Sequence, residues 1–214
     1  MDIQMARREG NKMKKQNITR VAVFGLGAAG SNFLLNMVYA HPTLEFTGVD
    51  FDVVEARNYE AGTQPYTKAD LNRPKVQAMQ RIVASSSRKM IKVFQTKIES
   101  TKDIMNIVGI PESALIIDAF DNVESRNLFI YLKRAYNVLH IGFSPILTGE
   151  AVWAESYSKM TPNKKGEFDV CQAHIARPFI HGLTAISALI ATDFIDSGEK
   201  RSVYFDSKLK IFTF

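Results

Sequence analysis

Residues 21–52 read VAVFGLGAAGSNFLLNMVYAHPTLEFTGVDFD and decide the fold. The apolar run Val21 to Phe24 predicts a strand, a helical stretch follows the glycine-rich segment, and a second apolar strand ends at Asp50. A strand, a helix and a second strand in this order predict a parallel βαβ unit.

The glycines of this stretch have the spacing Gly25-x-Gly27-x-x-Gly30 between the first strand and the helix. That arrangement supplies a tight turn, a close approach of backbone to phosphate, and close packing of helix on strand. The helix N-terminus also attracts anions, and Asp50 lies where a ribose-binding carboxylate is typical. Small residues can also serve simple packing, but the complete order favours a nucleotide site.

The rest of the chain alternates strands with helices, which predicts an α/β, Rossmann-like, mostly parallel sheet flanked by helices. Predicted strands cover residues 44–49, 90–96, 114–118, 138–143 and 149–157. Predicted helices cover residues 31–39, 102–108, 123–136 and 178–195, and another starts near Pro74. Residues 50–58 are predicted as a polar loop, and residues 201–214 as a C-terminal β-hairpin.

Composition predicts one domain with a basic extension. The chain has 214 residues, 46% of them hydrophobic, which suits a single α/β domain over residues 20–214. The net charge is +5, and six basic against two acidic residues among the first twenty account for +4 of it. Residues 1–19 are therefore predicted to form a solvated, partly disordered arm, with an electrostatic contact to an acidic partner as the alternative.

Targeting signals and cysteine content narrow the class of protein further. No stretch approaches the roughly 20 apolar residues of a membrane span, and no signal-peptide core follows the basic N-terminus. We expect a cytoplasmic protein without a membrane or nucleic-acid partner. The single cysteine, Cys171, excludes an intramolecular disulfide and a Cys-rich zinc site.

Four motifs in order along the chain resemble the ThiF/MoeB/HesA family of ubiquitin-activating-enzyme-like adenylyltransferases. They are Gly25-x-Gly27-x-x-Gly30, Asp50-x-Asp52-x-Val54-Glu55-x-x-Asn58, Gln64-x-Tyr66-x-x-x-Asp70-x-x-x-Pro74-Lys75 and Asp118-x-x-Asp121-Asn122-x-x-x-Arg126. The resemblance covers approximately residues 20–195. An NAD-dependent oxidoreductase does not need the second acid, the asparagine, the lysine or the Asp-Asn pair, so adenylation is favoured over that alternative.

The resemblance implies a reaction in which ATP activates a protein C-terminus. The C-terminal carboxylate of a small ubiquitin-like or sulfur-carrier protein, ending in Gly-Gly, attacks the α-phosphate and gives an acyl-adenylate and pyrophosphate. Such a step needs mostly positioning and charge neutralisation. The resemblance also implies a homodimer.

The implied ligands divide between ATP and Mg²⁺. Asp121 would hold Mg²⁺, Asp50 would accept from ribose hydroxyls, and Lys75 would bring a positive charge to the triphosphate. The other implied cofactor-binding residues are Gly25, Gly27, Gly30, Asp52, Asn58 and Asn122. Each polar residue also has a simpler interpretation as a solvated charge, a turn former or a helix-surface residue.

The chain departs from the family pattern at two places. The best-known members have an arginine before the glutamine where this chain has Thr63, so a non-catalytic nucleotide-binding interaction module is the alternative function. Arg57 or Arg73 would have to replace that cation. The paired Cys-x-x-Cys motifs of zinc-bearing members are absent, so no structural zinc is expected.

Cys171 precedes Pro178 and Gly182, in a place that resembles the family's cysteine region ahead of the last long helix. The resemblance implies that this thiol can carry the activated partner as a thioester. Burial as a small apolar residue is an equally good interpretation.

Overall fold

The computed structural model describes residues 16–144, 148–156, 176–206 and 211–213. These residues form an eight-stranded sheet of order β3-β2-β1-β4-β5-β6-β7-β8. The strands are β1 (Arg20–Phe24), β2 (Glu45–Val49), β3 (Lys92–Phe94), β4 (Ala114–Asp118), β5 (Asn137–Phe143), β6 (Thr148–Trp153), β7 (Val203–Asp206) and β8 (Ile211–Thr213). The α/β, Rossmann-like fold predicted from the sequence is confirmed.

The first five strands form the parallel half of the sheet. In it β1 pairs with β2 on one side, Arg20 opposite Glu45, and with β4 on the other, Arg20 opposite Ala114. All five residues of β4 are buried, as a parallel strand with helices on both faces requires. The remaining strands pair antiparallel, so β7 and β8 form the predicted C-terminal hairpin.

In the part of the chain that the structure describes, six α-helices connect and cover the strands. They are α1 (Ala28–Ala40), α2 (Ala56–Glu60), α3 (Lys75–Ser87), α4 (Thr101–Val108), α5 (Val123–Leu132) and α6 (Ala176–Ser197). Side-chain caps fix two helix starts: Ser100 accepts from the Asp103 N–H before α4, and Asn122 accepts from the Ser125 N–H before α5.

Two cores lie on opposite faces of the sheet. The larger packs α1, α3 and α6 on one face, and its fully buried residues include Phe33, Met79 and Ile180. The smaller packs α4 and α5 on the other, where the Phe24 and Phe129 rings meet edge to face with centroids 5.2 Å apart. Burying an aromatic side chain of this kind contributes roughly 1.5–3 kcal/mol.

Several predicted boundaries were wrong. The polar loop predicted over 50–58 contains the start of α2, and the helix predicted over 123–136 ends at Leu132. β3 covers three residues rather than 90–96, and β6 ends at Trp153 in a short 3-10 turn rather than continuing to residue 157. A five-residue helix is too short to show a helical hydrophobic period, which explains why α2 was missed.

The expectation that no stretch is apolar enough for a membrane span was wrong for helix α6. Its segment Arg177–Ser197 is, among the described residues, long and apolar enough to cross a membrane by length and composition alone. Ile180, Leu183 and Ala191 of this helix are buried in the larger core, where α6 packs against α1 and β6. A core helix of this kind passes the same test as a membrane span.

Candidate functional site

The candidate site lies where the chain reverses its direction across the sheet. From β1 the chain continues to β2 and β3 on one side and returns to β4 on the other, so β1 and β4 border the switch point. In open α/β sheets, ligands bind outside the carboxyl ends of the strands at such a point. Segment 25–30 follows β1 and segment 119–122 follows β4, so both lie at this edge.

Two of the three glycines are required by close contacts of the backbone. Gly25 has φ +88°, and a Cβ there would lie 2.9 Å from the Ala119 carbonyl oxygen. A Cβ on Gly30 would lie 1.8 Å from the Gly25 carbonyl oxygen and 3.1 Å from the Ala119 Cβ. These contacts pack the turn, the first turn of α1 and the end of β4 against one another.

Gly27 has a different environment. It is the N-cap of α1, has no side chain to bond the first-turn N–H groups, and a Cβ there would meet nothing within 4 Å. The helix start is therefore open in front of amide donors that carry a partial positive charge. This arrangement fits a phosphate group.

Asp50 fixes the glycine turn to the end of β2. Its Oδ2 accepts a hydrogen bond from the Leu26 N–H at 2.6 Å, and its Oδ1 accepts from the Asp52 N–H at 2.9 Å. The pKa of Asp50 is raised above its ordinary value. Burial is the cause, and it outweighs the positive charge of Lys75 and the two amide donors, which lower the pKa. Its carboxylate therefore stabilises the glycine turn, in addition to the ribose contact expected from the sequence.

Asp52 and Lys75 form an ion pair beside this turn. Lys75 Nζ lies 3.0 Å from Asp52 Oδ2, and the Lys75 N–H donates to the Asp52 carbonyl at 2.9 Å. The lysine side chain is only 10% exposed, whereas that of Asp52 is 48% exposed. The structure thus brings together Asp52 and Lys75, which lie 23 positions apart in the sequence. The Asp52 carboxylate orients the Lys75 side chain.

Asn58 and Arg57 both contact Glu55. Asn58 is buried, and its Oδ1 accepts from the Glu55 N–H at 2.8 Å, which closes the capping box of α2. Arg57 Nε lies 2.6 Å from Glu55 Oε2 on the exposed surface. Arg57 is therefore held by a carboxylate on its own helix, and Arg73 is an exposed side chain.

A cation that sequence spacing does not reveal lies beside the loop after Asn58. A Cβ on Gly62 would lie 3.6 Å from Nη1 of Arg177, on the first turn of α6. The neighbouring residue Thr63 accepts from Asn32 Nδ2 of α1 at 2.8 Å, which ties this loop to the helix that starts at Gly27. Partial burial and Arg177 lower the pKa of His181 one helical turn later, which favours its neutral form.

Tyr66 and Asp70 of the third motif have structural contacts. The Tyr66 hydroxyl donates to the Leu26 carbonyl at 2.7 Å, and burial raises its pKa well above the ordinary value, so it keeps its proton. Asp70 accepts two hydrogen bonds from Arg81 Nη2 at 2.7 and 2.8 Å. Burial raises the pKa of Asp70, but the bonds from Arg81 and Thr67 outweigh this and lower it.

The segment after β4 presents Asp121 at the same edge of the sheet. Asp121 and Asn122 are both exposed, and Asn122 Oδ1 caps α5 by accepting from the Ser125 N–H at 2.8 Å. Asp118 is buried and contacts His140, with its Oδ2 2.9 Å from His140 Nδ1. The nucleotide-binding role of Asn122 stays a prediction.

The acidic residues of the site fit one kind of metal. Among the described residues there is no group of three His, Cys, Asp or Glu side chains that could hold a metal ion. Mg²⁺ needs no such group, because it usually takes one or two carboxylates together with substrate phosphates and water. An exposed Asp121 at the same edge of the sheet as the open start of α1 therefore fits Mg²⁺ bound with a nucleotide. Cys171 lies outside the described residues, so its thioester role also stays a prediction.

Comparison with known proteins identifies the sequence family and the fold. The ThiF family model matches residues 2–202. Similar solved structures include MccB of E. coli with MccA-N7isoASN (TM-score 0.72, 15% identity), MccB of E. coli with ATP (0.67, 16%) and PaaA (0.68, 18%). Comparison with curated proteins gives no match.

The matches cover 92% of this chain but only 63% or 64% of those chains. The chain therefore spans less than two-thirds of the length of these relatives. At such identities the likeness shows a shared fold, which agrees with the sheet order above.

The contrast between Gly27 and Gly30 gives a paired prediction. Gly30→Ala places a methyl group against a backbone carbonyl and is expected to lower the free energy of unfolding by about 3 kcal/mol, the upper end of the usual cost of overpacking. Gly27→Ala has space and is expected to cost about 1 kcal/mol or less, while weakening ATP binding at the helix start. Urea denaturation and calorimetric titration with ATP and Mg²⁺ measure both effects. Equal destabilisation by the two substitutions would contradict this assignment.

Proposed function

The chain belongs to the ThiF family, and on that premise we propose that it uses ATP to adenylate the C-terminal carboxylate of a small protein or peptide. The observation that carries this proposal is the open start of α1 at Gly27, with the Lys75–Asp52 pair and Asp121 at the same edge of the sheet. An NAD-dependent oxidoreductase needs the glycine turn and Asp50 but has no use for that lysine or for Asp121.

Each group has a defined task in the proposed reaction. The first-turn N–H groups of α1 bind phosphate oxygens, and Asp50, which holds the glycine turn, would accept from the ribose hydroxyls. Lys75, aligned by Asp52, brings positive charge toward the triphosphate. The substrate carboxylate then attacks the α-phosphate, forms an acyl-adenylate and releases pyrophosphate. Preorganised charge and proximity supply most of the rate enhancement of such a step.

Asp121 would hold Mg²⁺, which neutralises phosphate charge and orients the leaving pyrophosphate when it is bound. The carboxylate is exposed on a segment whose backbone is anchored on both sides: the Ala119 N–H donates to the Phe24 carbonyl, and Asn122 caps α5. Such anchoring limits the reorganisation required for metal binding.

The partner is proposed to be a small ubiquitin-like or sulfur-carrier protein that ends in Gly-Gly. Solved structures show MccB with MccA, so a peptide substrate is the second candidate. The homodimer and the cytoplasmic location expected from the sequence remain predictions.

The first test compares nucleotides. Calorimetric titration is expected to show binding of ATP in the presence of Mg²⁺ and little or no binding of NAD⁺, because Lys75 and Asp121 complement a triphosphate with metal. Tight binding of NAD⁺ without a response to ATP would reject adenylation in favour of the oxidoreductase alternative.

ATP–pyrophosphate exchange extends this test to catalysis and to the partner. Three additions are compared: a sulfur-carrier protein ending in Gly-Gly, the same carrier without its last two residues, and the MccA peptide. Of the three additions, only the intact carrier is expected to support ATP–pyrophosphate exchange. ATP binding without exchange in all three would favour the non-catalytic interaction module.

Asp121→Asn tests the proposed metal ligand. The substitution keeps the size and removes the charge of an exposed side chain, so the thermal melt is expected to change little. The exchange rate is expected to fall by about 10² to 10³, the usual effect of losing one preorganised electrostatic group. Exchange that is unchanged at every Mg²⁺ concentration would remove Asp121 from the site.

Arg177→Ala tests whether this arginine supplies the cation that the loop at Thr63 lacks. We expect kcat/KM for ATP in the exchange reaction to fall by about tenfold or more, and Arg177→Lys to recover part of the loss. Arg134→Ala is the matched control, because Arg134 is an exposed arginine after α5, away from the Gly62 loop. Equal effects of Arg177→Ala and Arg134→Ala would show that only net charge matters.

A further inference from the structure

A closed ring of polar contacts includes the backbone N–H and carbonyl of Phe120. The Phe120 N–H donates to Asp118 Oδ1 at 3.2 Å, and Asp118 Oδ2 lies 2.9 Å from His140 Nδ1. His140 Nε2 lies 3.4 Å from Glu150 Oε1, and that oxygen lies 3.8 Å from Arg126 Nη1. Arg126 Nε–H then donates to the Phe120 carbonyl at 2.6 Å and closes the circuit. We call these five residues the Phe120 ring.

The Phe120 ring is assembled from separate parts of the chain. Its side chains come from the end of β4, the middle of β5, the start of β6 and the first turns of α5. Asp118 and His140 are each 2% exposed, so two titratable groups are buried between strands. Sequence periodicity gives no signal for such a set.

Gly142 makes room for the ring. A Cβ at this position of β5 would lie 2.6 Å from Arg126 Nη2 and 2.9 Å from His140 Nε2. Because Gly142 has no side chain, Arg126 and His140 can both approach Glu150. The glycine itself is not a member of the ring, so it supports the arrangement independently of the ring's own contacts.

The carboxylates next to His140 favour the charged form of its imidazole. Burial lowers the pKa of His140, but the charge of Asp118 and the contacts with Asp118 and Glu150 outweigh burial and raise it. In the charged form both nitrogens carry an N–H: Nδ1 lies at hydrogen-bond distance from Asp118 Oδ2, and Nε2 lies 3.4 Å from Glu150 Oε1.

Stability alone is a weak reason for such a buried cluster. Replacing buried ion pairs by apolar residues of similar volume is often neutral or stabilising, because of the desolvation cost of charged groups. The distinctive result of the ring is that the backbone of one residue, Phe120, is held through both its N–H and its carbonyl. Phe120 immediately precedes Asp121.

We propose that the Phe120 ring is a positioning device, in which His140 and Glu150 orient the segment after β4 so that the Asp121 carboxylate meets Mg²⁺ with the nucleotide. The inference rests on the proposed function, since it concerns the same metal site. His140 and Glu150 are positioning residues that act through Asp118, Arg126 and the Phe120 backbone.

The test measures the Mg²⁺ concentration that gives half-maximal ATP binding in calorimetric titrations, without any carrier protein. His140→Leu removes both contacts of the imidazole and is expected to raise that concentration about tenfold or more, in the range typical for loss of an outer-shell partner. Arg126→Lys keeps the charge, loses the bond to the Phe120 carbonyl, and is expected to shift it in the same direction. His140→Asn keeps a donor toward Asp118 and is expected to recover part of the shift.

Tyr136→Phe is the matched structural control. The Tyr136 hydroxyl donates to the Gly109 carbonyl at 2.9 Å. Tyr136 belongs to the smaller core and lies at the amino-terminal ends of β4 and β5, whereas Asp121 follows the carboxyl end of β4. This substitution is expected to lower the melting temperature without moving the Mg²⁺ midpoint. Where His140→Leu does not fold, Arg126→Lys and Glu150→Gln decide the question.

The outcomes separate the two proposals. Wild-type midpoints in the ring variants, with lower melting temperatures as in Tyr136→Phe, would overturn the positioning role and leave the proposed function intact. A wild-type protein that binds ATP identically with and without Mg²⁺ would instead overturn the proposed metal site and the positioning role with it.

Discussion

The backbone of Gly30 runs so close to the Gly25 carbonyl that α1 can reach the sheet only where no side chain intervenes. This contact determines where the helix starts and therefore leaves Gly27 at its open end. Gly25 in turn touches the Ala119 carbonyl, so the same contact sets the position of the segment after β4. The ends of β1 and β4 and the start of α1 are thereby joined at one point, and the candidate site is the surface they share.

The parts of the fold that the sequence predicted are those with a local signal. Glycine spacing, continuous apolar strands and alternation of strands with helices are short-range patterns, and they located β1, α1, β2 and β4. The five-residue helix α2 was missed because it covers less than two helical turns, which is too short for the hydrophobic period to repeat. Arg177 beside Gly62 and His140 beside Glu150 were missed for another reason. Their proximity depends on how distant segments pack, and one sequence carries no pattern for that.

Several residues that were expected to bind ligand also make contacts within the protein. Lys75 contacts Asp52, Asn58 caps α2 through the Glu55 N–H, and Asp50 holds two backbone amides. These contacts do not compete with a ligand role, because carboxylate and amide groups have further donor or acceptor capacity. They hold the polar groups in place without a ligand, so the proposed reaction would require little rearrangement of them.

The pairing of β1 with β4 also affects when the site can form during folding. Arg20 opposes Ala114, and the intervening chain includes β2, β3 and four helices. Contacts between such distant residues carry a large loop-closure cost and form slowly. Gly25 meets Ala119 only once this loop has closed. A nascent or partly folded chain thus lacks one wall of the proposed nucleotide site, and ATP binding, if the proposal holds, reports that the whole parallel half of the sheet is complete.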